Sequence, residues 1–142
     1  MRTIAVGNMA GSAGKTTTVV TLAALHAQLG RKVLVIDADA QANATQWLGV
    51  DPDAAAATTG SVLLRRASIR DAATGTNTPN IDVVPSNRTL DADLFHLATA
   101  VGAHNRLRSA LADLDGYDLV LVDCPGSGST MTVAALAAAD QA

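Results

Sequence analysis

Lys15 and Thr16 stand near the end of the run GNMAGSAGKTTT at residues 7–18, and three aspartates, Asp37, Asp39 and Asp123, each follow a short apolar stretch. This combination suits phosphate chemistry. Gly11 and Gly14 let a backbone turn its N–H groups toward an anion with no Cβ in the way, and Ser12, Ala13 and Thr17 complete the expected cradle. Lys15 would place a point charge on terminal phosphates, and the Thr16 hydroxyl could ligate Mg²⁺. Mg²⁺ keeps several waters, so Asp123 would bind it through one of them. Asp39 or Asp37 could orient an attacking water, because phosphoryl transfer relies on positioning more than on a strong base. Gly126, in the run DCPG after the last strand, is a secondary candidate.

Each of these signals has a plainer reading when taken alone. A Gly-Lys-Thr tripeptide can do no more than open a helix, and Asp37 and Asp39 could be loop carboxylates at a strand end. Cys124 reads as a small buried residue and not a nucleophile, since no histidine lies near it in sequence. His26, His96 and His104 have no metal-ligand spacing. The glycine-rich loop and three carboxylates at one sheet edge are more specific together than any of them singly.

Positioning these groups requires a sheet. Four β-branched runs, at 3–6, 33–36, 81–84 and 119–122, are almost continuously apolar, the pattern of parallel strands buried on both faces. Helical patterns separate them. Residues 15–29 place Val19, Leu22, Leu25 or His26, and Leu29 at three- or four-residue spacing, with Gly30 as the C-terminal cap. Residues 106–114 repeat the pattern through Leu107, Ala110, Leu111 and Leu114. Residues 130–139 form an alanine-rich helix with Val133 and Leu136 on one side. A further helix is expected over 61–73, and turns at Asp51-Pro52 and 75–80. Strand–helix alternation implies right-handed crossovers and a three-layer α/β/α domain with a mainly parallel sheet. In such sheets ligands sit beyond the carboxyl ends of the strands, where the loop, Asp37, Asp39 and Asp123 all fall.

Bulk composition narrows the class. A chain of 142 residues suits one domain, 1–142, and 49% apolar against 16% charged residues argues for a packed core. The net charge of −3 supplies no global basic field for nucleic acid, and Arg65, Arg66 and Arg70 are the one visible basic cluster, read as a solvated face. A single cysteine excludes an intrachain disulfide. With no signal-like N-terminus and no uncharged apolar run of membrane-spanning length, a cytoplasmic protein without a membrane partner is expected.

The segments GNMAGSAGKTTT, VLVIDADAQANATQWLG, IDVVPSNRTLDADL and YDLVLVDCPGSGS together resemble the ParA/Soj/MinD group of deviant-Walker P-loop ATPases, closest to the plasmid and chromosome partition proteins. The resemblance implies a P-loop NTPase fold, ATP and Mg²⁺ as ligands, and ATP hydrolysis. It also implies an ATP-dependent homodimer, a ParB-like centromere-binding partner, and non-specific DNA binding through a later part of the domain. It matches Lys15 and Thr16 to the phosphate lysine and the magnesium ligand, Asp39 to the water-positioning carboxylate with Asp37 as companion, and Asp123 to the Walker B aspartate. Met9 is ordinary for this lineage. Ala10 departs from it, standing where the family has a signature lysine that reaches the partner's phosphates across the dimer, and Ser12 replaces a loop glycine. Nucleotide binding is therefore expected to survive, with dimerisation and hydrolysis weakened. The alternative is a non-hydrolysing regulatory module of the same descent. The chain stops where the family's next core strand begins, so the expectation is the N-terminal portion of a domain truncated after the Walker B strand and the helix that follows, with the strand at 3–6 left as an exposed edge.

Overall fold

The computed structural model describes residues 1–7, 14–126 and 130–141. Its elements run β1 (Arg2–Val6), α1 (Lys15–Gln28), β2 (Val33–Asp37), α2 (Asn43–Trp47), α3 (Thr59–Leu63), α4 (Ile69–Ala72), β3 (Thr74–Gly75), β4 (Ile81–Val84), α5 (Leu90–Leu97), α6 (Arg106–Ala112), β5 (Leu119–Asp123) and α7 (Thr130–Ala138). Short 3₁₀ turns lie at Pro52–Ala54 and Ala103–Asn105. The sheet order is β1-β5-β2-β4-β3, parallel throughout except for the two-residue β3, which pairs antiparallel with β4.

Every residue of β2 and β5 is buried, which is why their sequences, VLVID and LVLVD, are apolar without alternation. Successive side chains feed two cores. Leu34, Ile36, Val120 and Val122 face a core covered by α3 to α7, while Val33, Val35, Leu119 and Leu121 face one covered by α1 and α2. The domain therefore has the three-layer α/β/α architecture expected from sequence.

α6 packs by the expected row, burying Leu107 and Leu111 with Ala110 and Leu114 against the same core, but α1 and α7 turn partly different faces inward. α1 buries Val19, Ala23 and Ala27, whereas Leu25 is 52% and Leu29 71% exposed. α7 likewise buries Met131, Ala134 and Ala135 and turns Val133 and Leu136 outward. Small side chains bring a helix close to a flat sheet, so alanine outcompetes leucine for the contact row. The single helix expected over 61–73 is two, α3 and α4, broken where Arg65 adopts φ +60°. Each half has its own capping box, Thr58 with Ser61 and Ser68 with Asp71. Helices α2 and α5 and strand β3 were not foreseen, and β3 takes Gly75 from the turn expected at 75–80.

β1 lies at one end of the sheet order, as expected. Its outer side is not bare, because Ile4 bridges in parallel to Gln141. Ala5 N–H donates to the Gln141 carbonyl at 2.9 Å, and the Asp140 N–H to the Thr3 carbonyl at 2.8 Å. Among the described residues no helix is long and apolar enough to cross a membrane.

Candidate functional site

Parallel pairing sets β1, β5 and β2 side by side with their carboxyl ends level. Val6 pairs with Asp123, and Asp123 with Asp37, so both aspartates are fixed at one edge by strand register. The chain enters α1 through Gly14, whose φ of +83° is a left-handed conformation that glycine adopts without strain. Among the described residues no atom lies within 4 Å of where a Cβ would sit there, so the requirement they set is conformational. The Gly14 carbonyl accepts from the Thr18 N–H at 2.9 Å and from the Thr18 hydroxyl at 2.6 Å, locking the first turn.

Lys15 and Thr16 leave this turn toward the strand ends. Lys15 is 4% exposed, and its Nζ lies 4.0 Å from Asp39 Oδ2, an ion-pair separation too long for a hydrogen bond. The Thr16 hydroxyl donates to Asp123 Oδ2 at 2.9 Å. At this edge Lys15 Nζ and Asp123 Oδ1 are both buried without a hydrogen-bond partner among the described residues. Burial pushes the Asp123 carboxyl above its ordinary range, opposed by the Thr16 hydrogen bond and the Lys15 charge. Lys15, Thr16, Asp39 and Asp123 thus converge, as the sequence led one to expect.

Asp37 separates from its companion. Fully buried, it accepts from the Thr45 hydroxyl at 2.6 Å and the Thr45 N–H at 2.9 Å through Oδ2, and from the Asp39 N–H at 3.2 Å through Oδ1. Burial raises its carboxyl to about 6, against the pull of the Thr45 hydrogen bonds. Its acceptors are already engaged, so of the two aspartates in the Asp-x-Asp unit it is Asp39 that faces Lys15. The network continues inward. The Ser86 N–H donates to the Thr45 hydroxyl at 3.0 Å, and the Thr59 hydroxyl to the Asp37 carbonyl at 2.6 Å. Thr45 and Ser86 were missed from sequence; the available signal was a threonine eight residues beyond Asp37, at the start of a helix too short to show a period.

The other expected residues divide. Thr17 is exposed in the first turn of α1, and Gly126 is half-buried beyond β5 with no contact that assigns it a role. Gly11, Ser12 and Ala13, with Met9 and Ala10, lie outside the described residues. Cys124 donates its N–H to the Val6 carbonyl at 3.0 Å and is 1% exposed. Burial and the neighbouring Asp123 push its thiol to about 11, consistent with a packing role. No three His, Cys or Asp side chains among the described residues cluster in the manner of a metal site.

A family profile described as "AAA domain" matches residues 1–142. The chromosome partitioning protein ParA of Caulobacter vibrioides is 38% identical over 143 residues, covering 99% of this chain and 54% of that protein. The sporulation initiation inhibitor Soj of Bacillus subtilis is 36% identical, covering 96% and 54%. The chain belongs to this family of ParA-like P-loop ATPase domains. Solved structures share the ParA-like fold. Cobyrinic acid a,c-diamide synthase from Mycobacterium smegmatis, solved with an ATP analog and magnesium, matches with TM-score 0.93 at 36% identity over 98% of this chain and 57% of that one. The McdA(D38A)–ATP complex from Cyanothece matches at 0.92 and 30% identity over 99% and 54%. This ParA-like chain spans about half the length of the curated relatives it matches.

Proposed function

We propose that the chain binds ATP with Mg²⁺ and forms part of a partition-type ATPase acting in plasmid or chromosome segregation. The observation that carries this reading is that Lys15 Nζ and Asp123 Oδ1, the latter on the carboxylate that accepts from the Thr16 hydroxyl, are both buried without a hydrogen-bond partner among the described residues. An ammonium buried without an acceptor, close to a carboxylate oxygen buried without a donor, is costly unless an anion and a hydrated cation satisfy them. Phosphate oxygens meet the first need and a magnesium-bound water the second, so the residues present fit both ligands. Lys15 would hold the terminal phosphates, and Thr16 with Asp123 the magnesium. When bound, that ion would neutralise charge on the phosphates. Asp39, at 4.0 Å from Lys15 Nζ, would orient a water against the terminal phosphate. The relatives named partitioning proteins, and those solved with ATP, an ATP analog or magnesium, support the same reading.

Beyond binding, a second copy of the chain, a ParB-like centromere-binding protein and DNA are the partners this reading implies, in the cytoplasm and on the nucleoid. Ala10 favours weakened dimerisation and turnover, because alanine cannot supply a charge to a partner's phosphates. It equally favours a second reading, a nucleotide-binding regulatory module that does not hydrolyse. Equilibrium ATP binding with and without Mg²⁺, followed by turnover of the wild-type chain and of Ala10→Lys, tests both. Mg²⁺-dependent binding with turnover that rises in Ala10→Lys is the expected result. Equal turnover in the two proteins would refute the role given to Ala10, and absence of binding would refute the whole reading.

A further inference from the structure

The basic cluster visible in sequence, Arg65, Arg66 and Arg70, does not act as one face. Arg70 pairs with Asp115 at the surface. Arg65 and Arg66, in the turn between α3 and α4, instead line a cavity of about 540 Å³ together with Arg106, the first residue of α6. Forty residues of sequence separate the two sides of this cavity. Arg106 is anchored by Nη1, which donates to the Leu63 carbonyl at 3.0 Å, while its Nε is buried with no partner among the described residues. Arg65 and Arg66 make no ion pair and no side-chain hydrogen bond among the described residues. Ser109 adds a hydroxyl to the same wall.

Two carboxylates, Asp71 and Asp113, also line the cavity, and they limit what it can take. Asp71 is spent on its own helix, accepting the Ser68 N–H at 3.2 Å, and neither carboxylate pairs with an arginine. Three guanidinium groups against two carboxylates leave the cavity cationic. An extended polyanion such as DNA would drag its backbone past Asp71 and Asp113, whereas a compact anion can sit among the guanidinium groups alone. Planar guanidinium forks match the oxygens of tetrahedral oxyanions, and a dianion can engage more than one of them together with a hydroxyl.

We propose that this cavity between the α3–α4 turn and α6 is a binding site for a single phosphate dianion, separate from the phosphate loop and independent of the function assigned to that loop. Its source is inorganic phosphate or the monoester of a small metabolite. The test is a titration of the full 142-residue chain followed by ¹H–¹⁵N NMR, including the arginine Nε–H signals. Inorganic phosphate and methyl phosphate are the probes, and Lys15→Ala serves as a background that silences the loop. Saturable shifts at Arg65, Arg66, Arg106 and Ser109 are expected to persist in Lys15→Ala and to weaken at least tenfold in Arg66→Ser. Arg66 is exposed, so that variant should leave the rest of the spectrum unchanged. The tighter of the two probes identifies the source. Shifts confined to the loop, shifts reproduced by sodium chloride at matched ionic strength, or affinity unchanged in Arg66→Ser would overturn the proposal. So would a short DNA duplex moving these signals when phosphate does not.

Discussion

Replacing Asp37 by asparagine should flatten the pH dependence of stability across the acid range. Asp37 is fully buried, and its carboxyl rises from 3.8 to about 6 because burial penalises the charged form more than Thr45 and the Asp39 N–H relieve it. The folded protein therefore binds this proton more tightly than the unfolded chain does. Stability from the group is fully present below pH 3.8 and is lost as pH rises through about 6. The difference of roughly two pH units corresponds to about 3 kcal/mol, at about 1.4 kcal/mol per unit. Urea unfolding of wild type and Asp37→Asn at pH 4 and pH 7 isolates it, since the other carboxylates titrate in both proteins. Wild type should lose about 2 kcal/mol relative to the variant between those pH values, somewhat less than the full difference because pH 4 lies just above the unfolded value. A side-chain ¹³C titration should place the Asp37 midpoint near 6. Parallel stability profiles, or a midpoint at or below 4, would show that the Thr45 hydrogen bonds outweigh burial and would refute the reasoning.

Two further outcomes follow from the same region. Ala42, buried at the N-cap of α2, holds φ +57°, a left-handed conformation that costs a residue with a Cβ about 1 kcal/mol. Ala42→Gly should therefore raise the unfolding free energy by up to about 1 kcal/mol in a urea melt, and a loss of that size would contradict it. Cys124, buried with its thiol at about 11, should resist a thiol reagent such as DTNB at pH 8 in the native protein and react fully once unfolded.

How much could be read from sequence depended on whether a feature was local. The strands around VLVID and LVLVD were legible because burial on both faces erases alternation, and Lys15 after a β-run could be placed at a helix start. Alanine-rich helices hid their packing rows. In α1 the period of Val19, Ala23 and Ala27 competes with larger leucines that turn out to face solvent, so choosing the biggest apolar side chains selects the wrong stripe. α5 carried a usable signal, Leu90, Leu94 and Leu97 at helical spacing with acids in the first turn, and was missed. The division of labour between Asp37 and Asp39 was not legible, because it depends on Thr45 folding back eight residues later to saturate one of them. The convergence of Arg106 with Arg65 and Arg66 on one cavity was equally hidden, because forty residues of sequence separate its two sides.

Central to the proposed function is Lys15, whose buried Nζ has no hydrogen-bond acceptor among the described residues and would take a phosphate. Its most direct test is calorimetric titration of Mg·ATP into wild type and Lys15→Ala. A lost charge-assisted interaction of about 3 kcal/mol weakens binding by about 100-fold. Saturable binding to wild type with a loss of that order in Lys15→Ala is the predicted result. Equal affinities in the two proteins would contradict it.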